Sequence, residues 1–192
     1  MPVITVSGHS RKVGKTSIAE GLIAALPEYN WTALKASSHR HSGDSAKDYT
    51  VIEETCRDGE SDTSRFLKAG ARRAFWIRAE RIESAVPAVR AIIKDAPYAI
   101  IEGNSVLDYI DTDFSILVIN RGVAEFKESA RGILSRADAL VLIQAGTESH
   151  EFESLLKSAP QNTPRFETGA PGIFPPALAE LIRWNSYEKF TR

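Results

Sequence analysis

The chain has 192 residues, a formal net charge of -1 and 26% charged residues, values typical of a globular protein. A general nucleic-acid binder would be more basic, so this balance argues against nucleic acid or an anionic membrane surface as a partner. Cys56 is the single cysteine, which excludes an intrachain disulfide, and no apolar run approaches the roughly 20 residues that span a bilayer. Together with an N-terminus typical of a first strand, these features predict one cytoplasmic domain, 1–192.

Strands and helices alternate along the chain. The β-branched run Val3–Val6 predicts a buried first strand, and apolar residues at helical spacing follow it as far as Pro27. Further strands are predicted at 31–36, 73–78, 98–103, 114–120, 137–144 and 163–168, and further helices at 82–95, 126–134, 152–156 and 175–184. This alternation predicts an α/β fold with a doubly wound, mostly parallel sheet and helices on both faces.

One long polar segment, 37–61, interrupts this alternation. It is rich in Ser, His, Asp and Glu and has few apolar residues to bury. Because long segments of this kind in a compact chain commonly carry function, we expect a polar insertion that is mobile without ligand and acts as a lid or a partner surface. Its His39 and His41, taken with Cys56, fit no standard zinc spacing, and we interpret them as solvated loop residues.

The segment between the first strand and the first helix ends in Gly14-Lys15-Thr16, the end of a phosphate-binding P-loop. The standard pattern G-x-x-x-x-G-K-[ST] would put its first glycine at His9, whereas this chain has Gly8 one residue earlier. The setting between a strand and a helix N-terminus nevertheless favours an anion site. Lys15 would reach the β- and γ-phosphates, and Thr16 would offer its hydroxyl to Mg²⁺. The predicted nucleotide contacts are Gly8, Val13, Gly14, Lys15, Thr16 and Ser17; the alternative is a turn that uses Gly14 for packing alone.

Charged residues outside this core extend the candidate site. Arg11 and Lys12 occupy the loop tip, where they contact either an anionic ligand or solvent. Glu102 ends the apolar run 98–103, at the sheet edge where open α/β folds bind ligands, so we expect it to organise Mg²⁺ and, with Lys15, to act in catalysis. The alternative is a solvent-facing Glu102. Asp138 precedes its own apolar run and should lie at the opposite edge.

The loop with Gly8, Val13 and Gly14-Lys15-Thr16 resembles that of dethiobiotin synthetases. Over its first 105 residues the chain resembles the related molybdopterin-guanine dinucleotide biosynthesis protein B family. The resemblance is carried by Val3–Leu26, by Lys35 with His39, by Asp62-Thr63 with Arg65 and Ala69-Gly70-Ala71, and by Ile100-Ile101-Glu102-Gly103. It implies GTP binding with slow hydrolysis in molybdenum-cofactor biosynthesis, a protein partner in cofactor assembly and a homodimer. Phe75 and Trp76 are candidates for an apolar dimer surface; the alternative is that both are core residues.

Other residues are candidates for contacts with phosphate, substrate or metal. Between Arg65 and Lys94 there are eight Lys or Arg and two Glu, so this segment lines either a pocket for an anionic pterin or solvated helix faces. Lys35, expected to end a strand beside the first one, is a second candidate for the phosphates. Asp62 ranks first, ahead of Asp44 and Asp48, as a further Mg²⁺ contact.

Two other functions fit the same residues. One is an ATP-dependent small-molecule ligase or kinase, as in relatives of dethiobiotin synthetase, and the other is a regulatory module that binds nucleotide without turnover. A guanine-reading Asn-Lys-x-Asp is absent from the sequence, because Asn120 is followed by Arg121-Gly122-Val123. The choice between GTP and ATP therefore stays open.

Overall fold

The computed structural model describes residues 2–37, 48–144, 152, 154 and 156–190. Eight strands are found in this part of the chain: β1 Val3–Gly8, β2 Thr32–Ser37, β3 Tyr49–Glu54, β4 Arg73–Ala79, β5 Ala99–Glu102, β6 Phe114–Asn120, β7 Ala139–Ile143 and β8 Arg165–Thr168. They form one sheet in the order β3-β4-β2-β5-β1-β6-β7-β8. All neighbours run parallel except β3, which is antiparallel to β4. The predicted mostly parallel α/β sheet is therefore confirmed.

Helices cover both faces of the sheet, as the doubly wound pattern predicts. Their bounds are α1 Lys15–Ala25, α2 Asp62–Lys68, α3 Ile82–Lys94, α4 Glu128–Leu134 and α5 Pro176–Phe190. The first, second and fifth pack on one face, while the third and fourth pack on the other in two separate clusters. Strand β6 contributes side chains to both faces: Ile116 and Val118 pack on the side of α1, α2 and α5, and Leu117 and Ile119 pack on the side of α4. Because successive side chains alternate across a strand, a continuous apolar run fills both layers.

The predicted polar insertion contains a strand that the sequence analysis missed. Tyr49–Glu54 pairs with β4 at the edge of the sheet, so 37–61 is not simply an insertion. An edge strand buries little, and Val51 and Ile52 are 38% and 41% exposed, which explains the polar composition. The predicted mobility of residues 38–47 lies outside the described residues.

For Phe75 and Trp76 the structure favours the core alternative over an apolar dimer surface. Phe75 is buried in the core, and Trp76 is half-buried with its indole N–H donating to the hydroxyl of Ser37 at 3.1 Å. The exposed large apolar side chains are instead Val51, Ile52, Ile173 and Trp184. None of the helices described here is both long and apolar enough to cross a membrane.

Strand order corrects one expectation about the site. Lys35 was expected on a strand beside β1, but β5 lies between β2 and β1. The register instead pairs Lys35 with Glu102 on β5, and Glu102 with Val6 on β1. Because paired residues of parallel strands lie side by side, Lys35 is placed next to Glu102.

Candidate nucleotide site

The loop between β1 and α1 lies at the carboxyl edge of the sheet. Gly14 adopts a left-handed conformation with φ of 101°, which glycine accepts without strain, and Lys12 has φ of 57°. Helix α1 begins at Lys15, and its first backbone bond runs from the N–H of Ile18 to the carbonyl of Gly14. The loop thus ends at a helix N-terminus, whose free N–H groups favour an anion.

Gly8 stands where the loop comes closest to the strand. A Cβ at this position would lie 2.6 Å from Cγ2 of Val13 and 2.9 Å from Cγ of Lys15. The side chain of Asn104 holds the same residue from the other side: its amide oxygen accepts from the N–H of Gly8 at 3.0 Å, and its amide N–H donates to the carbonyl of Gly8 at 2.8 Å. The first glycine of this loop is therefore structurally Gly8, with one extra residue before Gly14.

His9, at the place of the first glycine in the standard pattern, is fully buried. Its Nε2–H donates to the carbonyl of Val123 at 3.0 Å, and its Nδ1 accepts from the N–H of Asn120 at 3.4 Å. The ring also contacts Phe126 and Phe152, at 5.2 and 5.5 Å between centroids. Burial lowers its pKa, so the neutral imidazole is favoured. His9 is thus an internal anchor for the segment after β6.

Lys15 lies across the loop. Its ammonium donates to the carbonyl of Ser10 at 2.9 Å, and burial lowers its pKa below the ordinary value. Arg11 and Lys12, the cations at the loop tip, are exposed. Together with Lys15 they line a cavity beside the loop. The loop therefore presents three cations, Arg11, Lys12 and Lys15, to one cavity.

Glu102 lies under the loop and is 1% exposed. Its Oε2 accepts from the hydroxyl of Thr16 at 2.9 Å, and its Oε1 accepts from the ammonium of Lys35. The same ammonium contacts Oδ2 of Asp62 at 2.9 Å. A buried carboxylate needs partners, and here a threonine hydroxyl and a lysine supply them. The alternative of a solvent-facing glutamate does not fit this position.

The charges in this group stabilise one another. Burial alone would lower the pKa of Lys35, but Glu102 and Asp62 together raise it above its ordinary value. Burial opposes the ionised form of Asp62, yet hydrogen bonds and charge from Lys35 lower its pKa overall. Both groups therefore stay charged near neutral pH.

Arg65, from α2, closes the far side of the cavity. Its guanidinium makes two bonds to Glu20, at 2.9 and 2.5 Å, and a third to the hydroxyl of Ser17 at 3.3 Å. A fork of this kind fixes the orientation of Arg65. The resulting cavity of about 480 Å³ is lined by Arg11, Lys12, Val13, Gly14, Lys15, Thr16, Ser17, Lys35, Asp62, Arg65, Glu102 and Pro171.

Most predicted site residues meet at this cavity, but several do not. Of the eight cations between Arg65 and Lys94, only Arg65 lines it, and a pterin pocket made by the other seven stays a prediction. Asp48 and Cys56 lie elsewhere, and His39, His41 and Asp44 lie outside the described residues. Asp138 lies at the opposite edge, as expected, where it accepts from the N–H of Ser115 at 2.8 Å. Sequence reasoning missed Asn104 and Glu20, although Asn104 directly follows the recognised Glu102-Gly103.

The donors around Glu102 suit Mg²⁺. The hydroxyl of Thr16 and the carboxylates of Glu102 and Asp62 are hard oxygen ligands, and the two carboxylates already hold one cation, the ammonium of Lys35. No cluster of three or more His, Cys, Asp or Glu that could hold a metal occurs among the described residues. A small donor set is what Mg²⁺ uses when phosphate oxygens and water complete its shell.

No family model and no curated protein matches the chain. Among solved structures, HypB from Helicobacter pylori, in complex with nickel, is similar over 98% of this chain and 86% of its own, at 15% identity and a TM-score of 0.58. LpxK from Aquifex aeolicus, an "apo" form in complex with ATP, is similar over 87% of this chain at 19% identity and a TM-score of 0.52. The match covers 53% of LpxK, so the chain spans about half its length. These likenesses show that the chain has the fold of P-loop NTPases, whereas the resemblance to the protein B family stays a prediction.

Proposed function

We propose that the protein binds a nucleoside triphosphate with Mg²⁺ at the loop 8–17 and hydrolyses it slowly. The observation that carries this proposal is the convergence of Lys15, Thr16 and Glu102 on one cavity at the N-terminus of α1. Lys15 and Thr16 begin α1, the helix that follows β1, whereas Glu102 ends β5. Strands β1 and β5 are neighbours in the sheet, although Thr16 and Glu102 are 86 residues apart in sequence. A turn that used Gly14 for packing alone would not need a buried carboxylate bonded to Thr16.

Different groups of the site would bind the phosphates and the metal. Backbone N–H groups from Val13 to Ser17 would cradle the phosphates, and Lys15 would exchange the carbonyl of Ser10 for the β- and γ-phosphates. Thr16, Glu102 and Asp62 would hold Mg²⁺, which when bound neutralises charge that develops on the phosphates. Lys35 shares the carboxylates of that site and would lie beside the terminal phosphate.

Titration of ATP and GTP, each with and without Mg²⁺, tests this function and settles the open choice of base. Lys15→Ala should weaken binding more than tenfold, which corresponds to about 1.4 kcal/mol or more, because the phosphates lose their point charge. The exposed Lys68→Ala, on α2 and away from the cavity, is the matched control. Equal affinity of Lys15→Ala and the wild type for both nucleotides would exclude the loop as the binding site.

The finer role rests on the sequence resemblance. It supports a place in molybdenum-cofactor assembly, with an anionic pterin, a partner protein or a second copy of the chain as associates. A second candidate is an ATP-dependent enzyme acting on a small molecule, and it is favoured by an observation of its own: a second cavity meets the nucleotide cavity at Lys15 and Glu102. Phosphate release with and without candidate acceptors distinguishes the two.

A further inference from the structure

A second cavity of about 470 Å³ lies on the other side of Lys15, Lys35 and Glu102 from the nucleotide cavity. Those three residues and Arg11 line both cavities. The remaining walls come from the ends of β1, β2 and β5 and from the start of α4. Hydrolysis needs room for one water molecule, whereas a cavity of several hundred Å³ is the size that holds a small organic ligand.

The charge balance of this second cavity is positive. Two carboxylates line it, and both have partners: Glu102 is bonded to Lys35 and Thr16, and Asp108 accepts from Arg136 at 2.9 Å. Lys127 adds a cation that makes no ion pair with any carboxylate in the described part of the chain. Burial is the main reason why the pKa of Lys15 is lowered, and the positive charge of Lys127 lowers it further.

The backbone holds Lys127 in place. Its N–H donates to the carbonyl of His9 at 3.0 Å, and the ring of His9 is fixed by Asn120, the last residue of β6, and by Val123 on the β6–α4 connection. His9 thus ties the loop to the segment that carries Lys127. Around this cation the walls carry serine hydroxyls, of which Ser105 and Ser129 are neutral hydrogen-bonding groups suited to an acid oxygen.

We propose that this cavity binds a second ligand, a small molecule with a carboxylate or phosphate group, and that Lys127 is the charge partner of that group. The proposal rests on the proposed function and deepens it, because Lys15 and Lys35 face both cavities and would bring the acid next to the terminal phosphate. Carboxylate and phosphate are both recognised by a lysine as a point charge with neighbouring hydroxyls. The second ligand would therefore be separated from the nucleotide only by the side chains of Lys15, Lys35 and Glu102, which line both cavities.

The test uses the full chain loaded with Mg²⁺ and a non-hydrolysable triphosphate analogue, so that the phosphate loop is filled. Inorganic phosphate and malonate are then titrated separately by calorimetry at constant ionic strength, which distinguishes a phosphate site from a carboxylate site. We expect one of them to bind, and Lys127→Gln to weaken that binding at least fivefold. Lys127→Arg should retain most of it, and Lys94→Gln, a lysine of α3 outside both cavities, should retain all of it.

The outcomes separate this inference from the proposed function. If the analogue binds but neither anion does, or if Lys127→Gln and Lys94→Gln bind the anion equally, the second site is excluded while nucleotide binding stands. If the analogue itself fails to bind, the proposed function fails and this inference with it. Analogue affinity is measured first for every variant, so that anion affinities are compared only on loaded protein.

Discussion

The two cavities on either side of the Lys35–Glu102 pair differ in how the chain builds them. Seven of the twelve described residues that line the nucleotide cavity are consecutive, 11–17. The second cavity takes its lining from four segments, 8–15, 35–37, 102–108 and 127–133, and no run of consecutive lining residues in it is longer than the four residues 102–105. A site made by one continuous loop is visible as a motif, whereas a site made by single residues from several strand ends is visible only once the strands are ordered.

The strongest test of this comparison is Glu102, which belongs to both cavities. Glu102→Gln keeps the shape and removes the charge, so the affinity gained by adding Mg²⁺ should shrink. Hydrolysis should fall by about 10²-fold or more, because a site loses one electrostatic element. Nucleotide alone should still bind through the loop and Lys15. Affinity with and without Mg²⁺, together with phosphate release, measures both effects.

Glu53→Gln is the control for Glu102→Gln, since Glu53 is an exposed carboxylate on the edge strand β3 that pairs with Arg73 of β4 at 2.8 Å. It should leave Mg²⁺ dependence and turnover at wild-type values. Wild-type Mg²⁺ dependence and turnover in Glu102→Gln would remove Glu102 from the metal site and make Asp62 the next candidate.

The next largest effect should come from Gly8, which joins the strand to the loop. Gly8→Ala places a Cβ against Val13 and Lys15, and overpacking of this kind costs about 1–3 kcal/mol of stability. Because the contact displaces the loop, nucleotide affinity should fall as well. Gly132→Ala on α4, where a Cβ meets nothing within 4 Å, is the matched control and should leave stability equal or slightly higher. Denaturant unfolding and nucleotide titration give the two readouts; an unshifted midpoint for Gly8→Ala would refute the tight approach.

An effect on stability of similar size is expected at Asn104, which joins the loop to the wall of the second cavity. Asn104→Ala leaves the N–H and the carbonyl of Gly8 without their side-chain partners, a loss of about 1–3 kcal/mol for partly buried groups. Asn104→Asp keeps the acceptor for the N–H but sets a second carboxylate oxygen against the carbonyl of Gly8, so it should also be less stable than wild type in chemical denaturation. Wild-type stability of Asn104→Ala would show that the two bonds do not hold Gly8.

The parts of this site that sequence predicts are those set by local pattern. Glu102 is found because a charge that ends a buried parallel strand must lie at the ligand-binding edge, and Thr16 because it follows Gly14-Lys15. Lys35 was identified but assigned to the wrong neighbour, since a strand's position in the sheet depends on packing over the whole chain. Lys127 was missed altogether, because nothing in its own segment distinguishes it from a solvated lysine.

The edge strand β3 could not be predicted from its own segment either. Tyr49–Glu54 lies in a polar stretch, and an exposed antiparallel edge strand lacks the continuous apolar run by which β5, β6 and β7 are recognised. Its strand character depends on β4, with which it pairs, rather than on its own hydrophobicity. This edge strand matters for the site, because its last residue, Glu54, supports the N-terminus of α2.

That residue, Glu54, gives the smallest and most specific prediction. Its Oε1 accepts from the N–H of Cys56 at 3.0 Å, and its Oε2 accepts from the hydroxyls of Ser61 and Thr63 at 2.9 and 3.0 Å. The hydroxyl of Ser61 in turn caps α2, the helix that carries Asp62 and Arg65 into the nucleotide cavity. The backbone bond from Cys56 first, and then these hydroxyls, lower the pKa of Glu54 to about 2.

A carboxyl whose folded-state pKa lies below its unfolded value of roughly 4.3 stabilises the fold above that value and loses the contribution as the pH falls towards the folded pKa. Glu54→Gln should therefore be less stable than wild type at pH 7, and the gap between them should close from about pH 4.5 to about pH 2. Urea unfolding of both proteins across this range measures the gap, with the exposed Glu60→Gln as a control that shows no gap at pH 7. A difference in unfolding free energy between wild type and Glu54→Gln that stays constant from pH 7 to pH 2 would mean that the ionised carboxylate does not support α2. The wall of the nucleotide cavity formed by Asp62 and Arg65 would then be held by the packing of Phe66 and Leu67 alone.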